Sequence, residues 1–215
     1  RLFGKAIFNP MEGLLINAEY TFNRTNYDQD EYQKTVKYVN AENNYFSVAD
    51  SYSGNSSYQL DEKHINYNAI NVYGNYDKTI NDHSFSVMAG FNQEYSYMRR
   101  VWGKKLHVVN PEHPSLSGAD GTMTTGDEYD EYSLRGLYYR ASYNYKGKYL
   151  FETNGRYDGS SKFPSGNRFG FFPSFSLGWR VSEEKFMDWS KEYVTNFKLR
   201  GSFGQVGNQA IKNYA

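Results

Sequence analysis

"RYDGSSKFPSGNRFGFFPSFSLGWRVSEEKF", residues 156 to 186, decides the fold. It opens on a polar loop and then alternates, setting Phe171, Pro173, Phe175, Leu177, Trp179 and Val181 against Ser174, Ser176, Gly178, Arg180 and Ser182. Successive side chains of an extended strand point to opposite faces, so this run has one apolar face and one polar face. A strand of that kind needs apolar matter on one side and water or polar groups on the other. A soluble sandwich and a barrel in lipid both supply that.

The same period of two recurs in both directions along the chain, in segments of about ten residues, and helical period is nearly absent. Eight strands follow, at residues 2–9, 14–24, 66–78, 84–96, 133–146, 148–158, 170–182 and 196–206. "NPMEG", residues 9–13, reads as the first turn and "TINDH", residues 79–83, as the second. The single helix-like stretch is "SEEKFMDWSKEYV", with Ser182 as N-cap and Glu183 and Glu184 in its first turn.

The hairpin around "KGK", residues 146–148, admits a sharper expectation. Facing residues share a face, so pairing about Gly147 sets Tyr145 against Tyr149, Tyr143 against Phe151 and Ala141 against Thr153. A strict two-residue Lys146-Gly147 loop sets Ala141 against Glu152 instead and turns that carboxylate to the apolar face. The sequence therefore predicts an odd-length connection or a bulge, with Gly147 at positive φ.

Connection lengths alternate. Links after the first, third and fifth strands are tight, while residues 25–65 and 97–131 read as links far longer than the usual 2 to 6 residues. Short turns on one side and long loops on the other match the periplasmic turns and extracellular loops of an outer-membrane barrel. By this parity residues 25–65, 97–131 and 158–169 lie outside the cell, and the segment 183–195 lies on the periplasmic side. Glu19, Arg140, Glu152, Arg156, Lys198 and Arg200 on the polar faces suit a wide wet lumen, and aromatic residues crowd the strand ends as interface girdles do. The reading is all-β: an antiparallel transmembrane β-barrel segment of about eight strands. Its alternative is a soluble or surface-attached all-β glycan-binding protein without transport activity.

Composition bounds the rest. No window nears the roughly 18 apolar residues of a transmembrane helix, and no signal peptide is present. Lysine and arginine number 24 against 24 acidic residues, so no net field draws nucleic acid. Cysteine is absent, which removes disulfides and thiolate metal sites. Mean hydropathy is -0.82, yet 22 tyrosines and 15 phenylalanines supply ample aromatic surface. Arg1 already sits inside a strand, and the chain reads as a piece of something longer.

No arrangement of Ser, His and Asp or of paired carboxylates stands in a catalytic context, so no enzyme, cofactor or catalytic residue is expected. His64, His83, His107 and His113 are scattered and read as exposed loop histidines; His107 and His113 with Glu112 lack the spacing of a metal site. "DEYDE", residues 127–131, reads as a solvated loop base rather than a calcium loop, and "GQVGN", residues 204–208, as a bend where a strand leaves the wall. One positive candidate remains. "YSYMRRVWGKK", residues 95–105, interleaves aromatic rings with cations, and Tyr97, Arg99, Arg100 and Trp102 are expected to meet a glycan or peptide ligand from an extracellular loop.

"YKGKYLFETNGRYDGSSKFPSGNRFGFFPSFSLGWRVSEEKFM", followed by "LRGSFGQVGN", resembles the barrel of the SusC/RagA family of TonB-dependent outer-membrane transporters. The motifs stand in the family's order, specifically over residues 133–208, less distinctively at "AGFNQEY", residues 89–95, and only weakly over the first 65 residues. The resemblance implies that residues 1–215 form part of one 22-stranded barrel domain in the outer membrane, importing nutrients, glycans above all or else peptides. It implies outer-membrane lipid, a SusD-like surface lipoprotein acting as a lid, and the TonB complex as partners. The signal sequence, plug, TonB box and terminal strand of that pattern are expected to lie outside this chain.

Overall fold

The computed structural model describes residues 1–35 and 56–208, with the backbone of two short strands between them. The strands are β1 (Leu2–Met11), β2 (Leu14–Gln33), β3 (Lys37–Val39), β4 (Phe46–Val48), β5 (Ser57–Ile80), β6 (His83–Leu106), β7 (Met123–Tyr145), β8 (Tyr149–Ser160), β9 (Phe169–Arg180) and β10 (Lys198–Gly204). Eight of them form one sheet in the order β1-β2-β5-β6-β7-β8-β9-β10, a meander, while β3 and β4 pair only with each other.

Tight turns gather at one rim. The Asp77 N–H donates to the Gly13 carbonyl at 2.9 Å, that of Lys146 to Asp82 at 2.8 Å and that of Arg180 to Lys148 at 2.8 Å. Positive φ at Gly13 (82°), Asn81 (49°), Lys146 (52°) and Gly147 (69°) marks these turns. The first is tighter than "NPMEG" suggested: β1 runs on to Met11, and the register shifts between Phe8 and Met11. Pro10, which has no N–H to donate, falls in that irregularity.

The KGK hairpin has the expected odd length. Tyr145 faces Tyr149, Tyr143 faces Phe151 and Ala141 faces Thr153, with Gly147 in the left-handed region. Lys146 shares that region, a conformation only glycine adopts without strain. Pro173 faces Gly155 in β8, while the β9–β10 ladder ends at the Ser174–Gly204 pair. The Gln205 N–H donates to the Pro173 carbonyl at 3.0 Å, so the missing Pro173 donor points to the side where pairing frays.

Four strands run to between 20 and 24 residues, so the true connections are residues 34–56 and 107–122, not 25–65 and 97–131. Hydrophobic alternation hides this: beyond Asn23 "RTNYDQDEYQ" is polar on both faces, and only the backbone ladder continues. Part of the first long link, at residues 36, 40–45 and 49–55, lies outside the described residues. The compact loop is 161–168, with Gly166 at φ 105°; Asp158 and Gly159 do not make its bend but pair within β8 against Gly136 and Arg135.

The helix-like segment is not one helix. Val181–Glu183 and Lys185–Ser190 are two short 3-10 turns broken by an extended Glu184 (φ -82°, ψ 146°). Ser182 is no N-cap: it is buried inside the first turn, and its hydroxyl has no partner among the described residues. Three donors hold Glu184 extended: Tyr149 Oη at 2.7 Å, Trp179 Nε1 at 3.2 Å and Lys148 Nζ at 3.2 Å. Of the histidines, His64 and His83 lie in strands, not loops. His83 Nδ1 is 2.7 Å from the Tyr143 hydroxyl and its ring packs on Tyr145 at 4.8 Å.

The described chain divides into two units: residues 1–23, 67–96 and 131 onward, and residues 24–66 with 97–130. In the first, one face is a stack of apolar rows. Tyr145, Tyr149 and Trp179 line the turn rim, followed by Tyr143, Phe151 and Leu177, then Ala141, Thr153 and Phe175, and so on to Leu137, Tyr157 and Phe171. Leu137 is 58% exposed and Leu177 63%, and the buried apolar residues among those described are Val108, Ala119 and Val181 alone. A soluble sandwich buries such rows; here nothing among the described residues covers them. From Tyr145 up to Arg135, where charge returns to this face, ten residues at about 3.4 Å and the usual barrel tilt give a band about 25 Å tall, the height of a membrane barrel's apolar belt.

Candidate functional site

Chemistry lies on the other face. In the first unit Lys5 Nζ reaches Glu19 Oε1 at 3.1 Å, and Glu19 also accepts from Asn71 Nδ2 at 3.1 Å and the Tyr73 hydroxyl at 3.4 Å. Tyr138 donates to Asn71 Oδ1 at 2.7 Å and carries the Arg156 guanidinium 5.3 Å above its ring. Arg156 forks onto Asp158, Nε to Oδ2 at 3.0 Å and Nη2 to Oδ1 at 2.9 Å, and Nη2 also donates to Asn92 Oδ1 at 3.2 Å. Two residues along β6, Glu94 Oε2 accepts from the Tyr67 hydroxyl at 2.9 Å. This belt draws on six strands, β1, β2, β5, β6, β7 and β8.

Room for the belt comes from missing side chains. A Cβ on Gly136 would lie 2.1 Å from Asp158 Oδ1 and 2.8 Å from Asn92 Oδ1, and one on Gly90 would strike the Tyr138 ring at 2.4 Å. By the sequence Arg156 takes the polar face and Asp158 opens the loop; in the structure Asp158 stays in β8, opposite Gly136. The signal was available in the hairpin register: continuing the pairing about Gly147 sets Arg156 against Tyr138 and Asp158 against Gly136.

The four residues expected to meet ligand from a loop are not in one. Tyr97, Arg99, Arg100 and Trp102 all lie in β6, and period two parts them. Tyr97 packs edge-on to Tyr129 at 5.3 Å, on the side shared with Arg99. Arg100 and Trp102 take the opposite side: Trp102 fills the space above Gly126, where a Cβ would come within 2.8 Å of the indole, and Arg100 is bound to Asp61. Arg100 Nε donates to both Asp61 oxygens, at 2.9 and 3.1 Å, and Nη1 is 3.7 Å from Glu128. The hydrogen bonds from Arg100 hold the Asp61 carboxyl below the usual carboxylate range, and Asp61 in turn raises the guanidinium. Arg100 is therefore committed to its neighbours.

Uncovered apolar rows of membrane height backed by a hydrogen-bonded polar face define a class: the wall of a transmembrane β-barrel. Residues 6–215 match the family model described as TonB dependent receptor-like, beta-barrel. TonB-dependent receptor P39 of Formosa agariphila is 36% identical over 149 residues, covering 65% of this chain and 14% of that protein. TonB-dependent receptor SusC of Bacteroides thetaiotaomicron is 29% identical over 178 residues, covering 80% of the chain and 17% of SusC. The structure of the RagAB peptide transporter superposes with a TM-score of 0.84 at 19% identity, over 99% of this chain and 23% of that one. The chain spans less than a quarter of each. It belongs to the TonB-dependent receptor β-barrel family, and so to the outer membrane. That family is one of receptors and transporters, not of enzymes.

Proposed function

We propose that this chain is a wall segment of a TonB-dependent active transporter that imports nutrients, oligosaccharides or else peptides, across the outer membrane. The observation that carries the reading is the pairing, in one set of strands, of an uncovered apolar face with a continuous polar belt. Lipid takes the first and a hydrated lumen the second. On this reading the long connections face outside, where a SusD-like lipoprotein closes over them, and the TonB complex supplies energy through regions beyond this segment.

Uptake tests it. Cells expressing the complete reading frame with its lipoprotein neighbour are offered fluorescent oligosaccharides and peptides. Import is expected to vanish on deletion of the gene and on collapse of the proton-motive force by a protonophore. Import indifferent to both overturns the reading.

A further inference from the structure

We infer that the segment joining β9 to β10 is an interfacial anchor, whose Phe186 and Trp189 insert into the headgroup layer of the phospholipid leaflet at the turn rim. The inference rests on the membrane wall and not on any cargo. A connection between strands is free to hang in water. This one is laid against the lipid side of the wall. Trp179 belongs to the apolar row that closes that face at the rim, opposite Tyr149. Phe186 packs edge-on against the Trp179 indole, with ring centroids 6.4 Å apart at 62°, and so continues the apolar face past the last strand residue.

The conformation of the segment aligns a second ring with the first. Lys185–Ser190 is a 3-10 turn, in which side chains three residues apart eclipse, so Phe186 and Trp189 form one ridge. Phe186 is 58% exposed and Trp189 79%. The neighbouring row turns inward: Met187 is half-buried, and Ser190 is buried and donates to the Met187 carbonyl at 2.8 Å. Both ends are fixed. Tyr149, Trp179 and Lys148 hold Glu184 at the start, and the Ser182 N–H donates to the Phe197 carbonyl at 3.2 Å across the base.

Continuity with the lipid face names the occupant, and the chemistry of the segment sets its depth. The lumen lies behind Ser176 and Gly178, on the face of β9 opposite Trp179, so contents of the barrel do not reach the ridge. Bulk water leaves two large rings uncovered. The hydrocarbon core is unsuited, because the same turn carries the Asp188–Lys191 ion pair at 2.6 Å, with both side chains more than half exposed. Headgroup level satisfies both demands. The rings take the acyl boundary, while the Trp189 N–H and the ammonium of the exposed Lys185, neither of which has a partner among the described residues, find phosphate and ester oxygens. Insertion of this kind is shallow, about 5–10 Å.

The test uses the full-length protein, freed of other cysteines and reconstituted in vesicles of phosphatidylethanolamine and phosphatidylglycerol. Nitroxide labels are placed singly at Trp189→Cys, at Leu177→Cys as the lipid reference and at Asp82→Cys as the water reference. Collisions with oxygen, which partitions into lipid, are compared with collisions with a nickel chelate, which stays in water. The oxygen-to-nickel ratio at Trp189→Cys is expected to exceed that at Asp82→Cys several-fold and to fall below that at Leu177→Cys. As a second and independent reading, a benzophenone amino acid in place of Phe186 should form photo-adducts with phospholipid, identified by mass. Both positions are exposed, so neither change disturbs the sheet. A ratio at Trp189→Cys equal to that of the water reference, a label there shielded from both probes, or adducts from position 186 to protein alone overturns the anchor. Neither readout uses cargo or energy, so failure of the import reading leaves the anchor untouched, and failure of the anchor leaves import standing.

Discussion

Tyr149 donates its phenolic hydrogen to Glu184 at 2.7 Å, across 35 residues of chain. Trp179 and Lys148 donate to the same carboxylate, so one side chain ties the KGK hairpin, the end of β9 and the 3-10 segment together at the turn rim. Glu184→Gln keeps the size but loses the charge that strengthens all three bonds. In the full-length protein the unfolding midpoint, followed by heat modifiability on gels, is expected to fall by about 2 °C or more. An unchanged midpoint would show that the rim holds without this anchor.

The same carboxylate predicts a pH dependence. Hydrogen bonds from Tyr149, then Trp179 and Lys148, hold Glu184 below the ordinary glutamate value of 4.5. A depressed folded-state value means that the stabilisation is fully present above the unfolded value and is lost as pH falls through the folded one. The difference in midpoint between wild type and Glu184→Gln should therefore be constant at neutral pH and shrink below about pH 4.5. A gap that widened on acidification would contradict the assignment.

Gly136 has no side chain because Asp158 and Asn92 occupy its space. Gly136→Ala should displace the Arg156–Asp158 fork and cost about 1–3 kcal/mol, as overpacking does. Folded protein recovered from the outer membrane, compared by heat modifiability, measures it. A variant as abundant and as stable as wild type would mean that the belt gives way freely.

Two adjacent residues of the KGK turn take positive φ, but only one is glycine. Lys146→Gly should stabilise the hairpin by about 0.4–1 kcal/mol, and Gly147→Ala should destabilise it by about 1–2 kcal/mol. Unfolding midpoints of the pair moving in opposite directions are the expected result.

Membrane sidedness is testable by cysteine labelling on intact cells. Ser56 and Ser115 are poor reporters because their hydroxyls accept from the Val108 and Gly118 N–H groups. Val109, 67% exposed in the 107–122 connection, is the better outer position, and Asp82 in the opposite turn the inner one. An impermeant maleimide should modify Val109→Cys and spare Asp82→Cys. The reverse pattern inverts the topology.

The eight strands of the main sheet, facial alternation and the odd-length KGK hairpin could all be read from the chain itself. Each is local: a period of two and a turn impose themselves whatever lies beyond. Strand length could not be read, because past Asn23 and Ser96 polar and charged residues fall on both faces, and hydrophobic alternation stops where backbone pairing does not. Nor could the division of Tyr97, Arg99, Arg100 and Trp102 between two faces, which follows only once β6 is known to continue to Leu106. Glu184 reads locally as the first turn of a helix, and three donors from elsewhere in the chain pull it straight. The sequence alone determined which face of each strand seeks lipid. Which polar groups meet on the other face was decided by the register of neighbouring strands, a tertiary quantity that brings Arg156, Asp158 and Asn92 together across a gap left by Gly136.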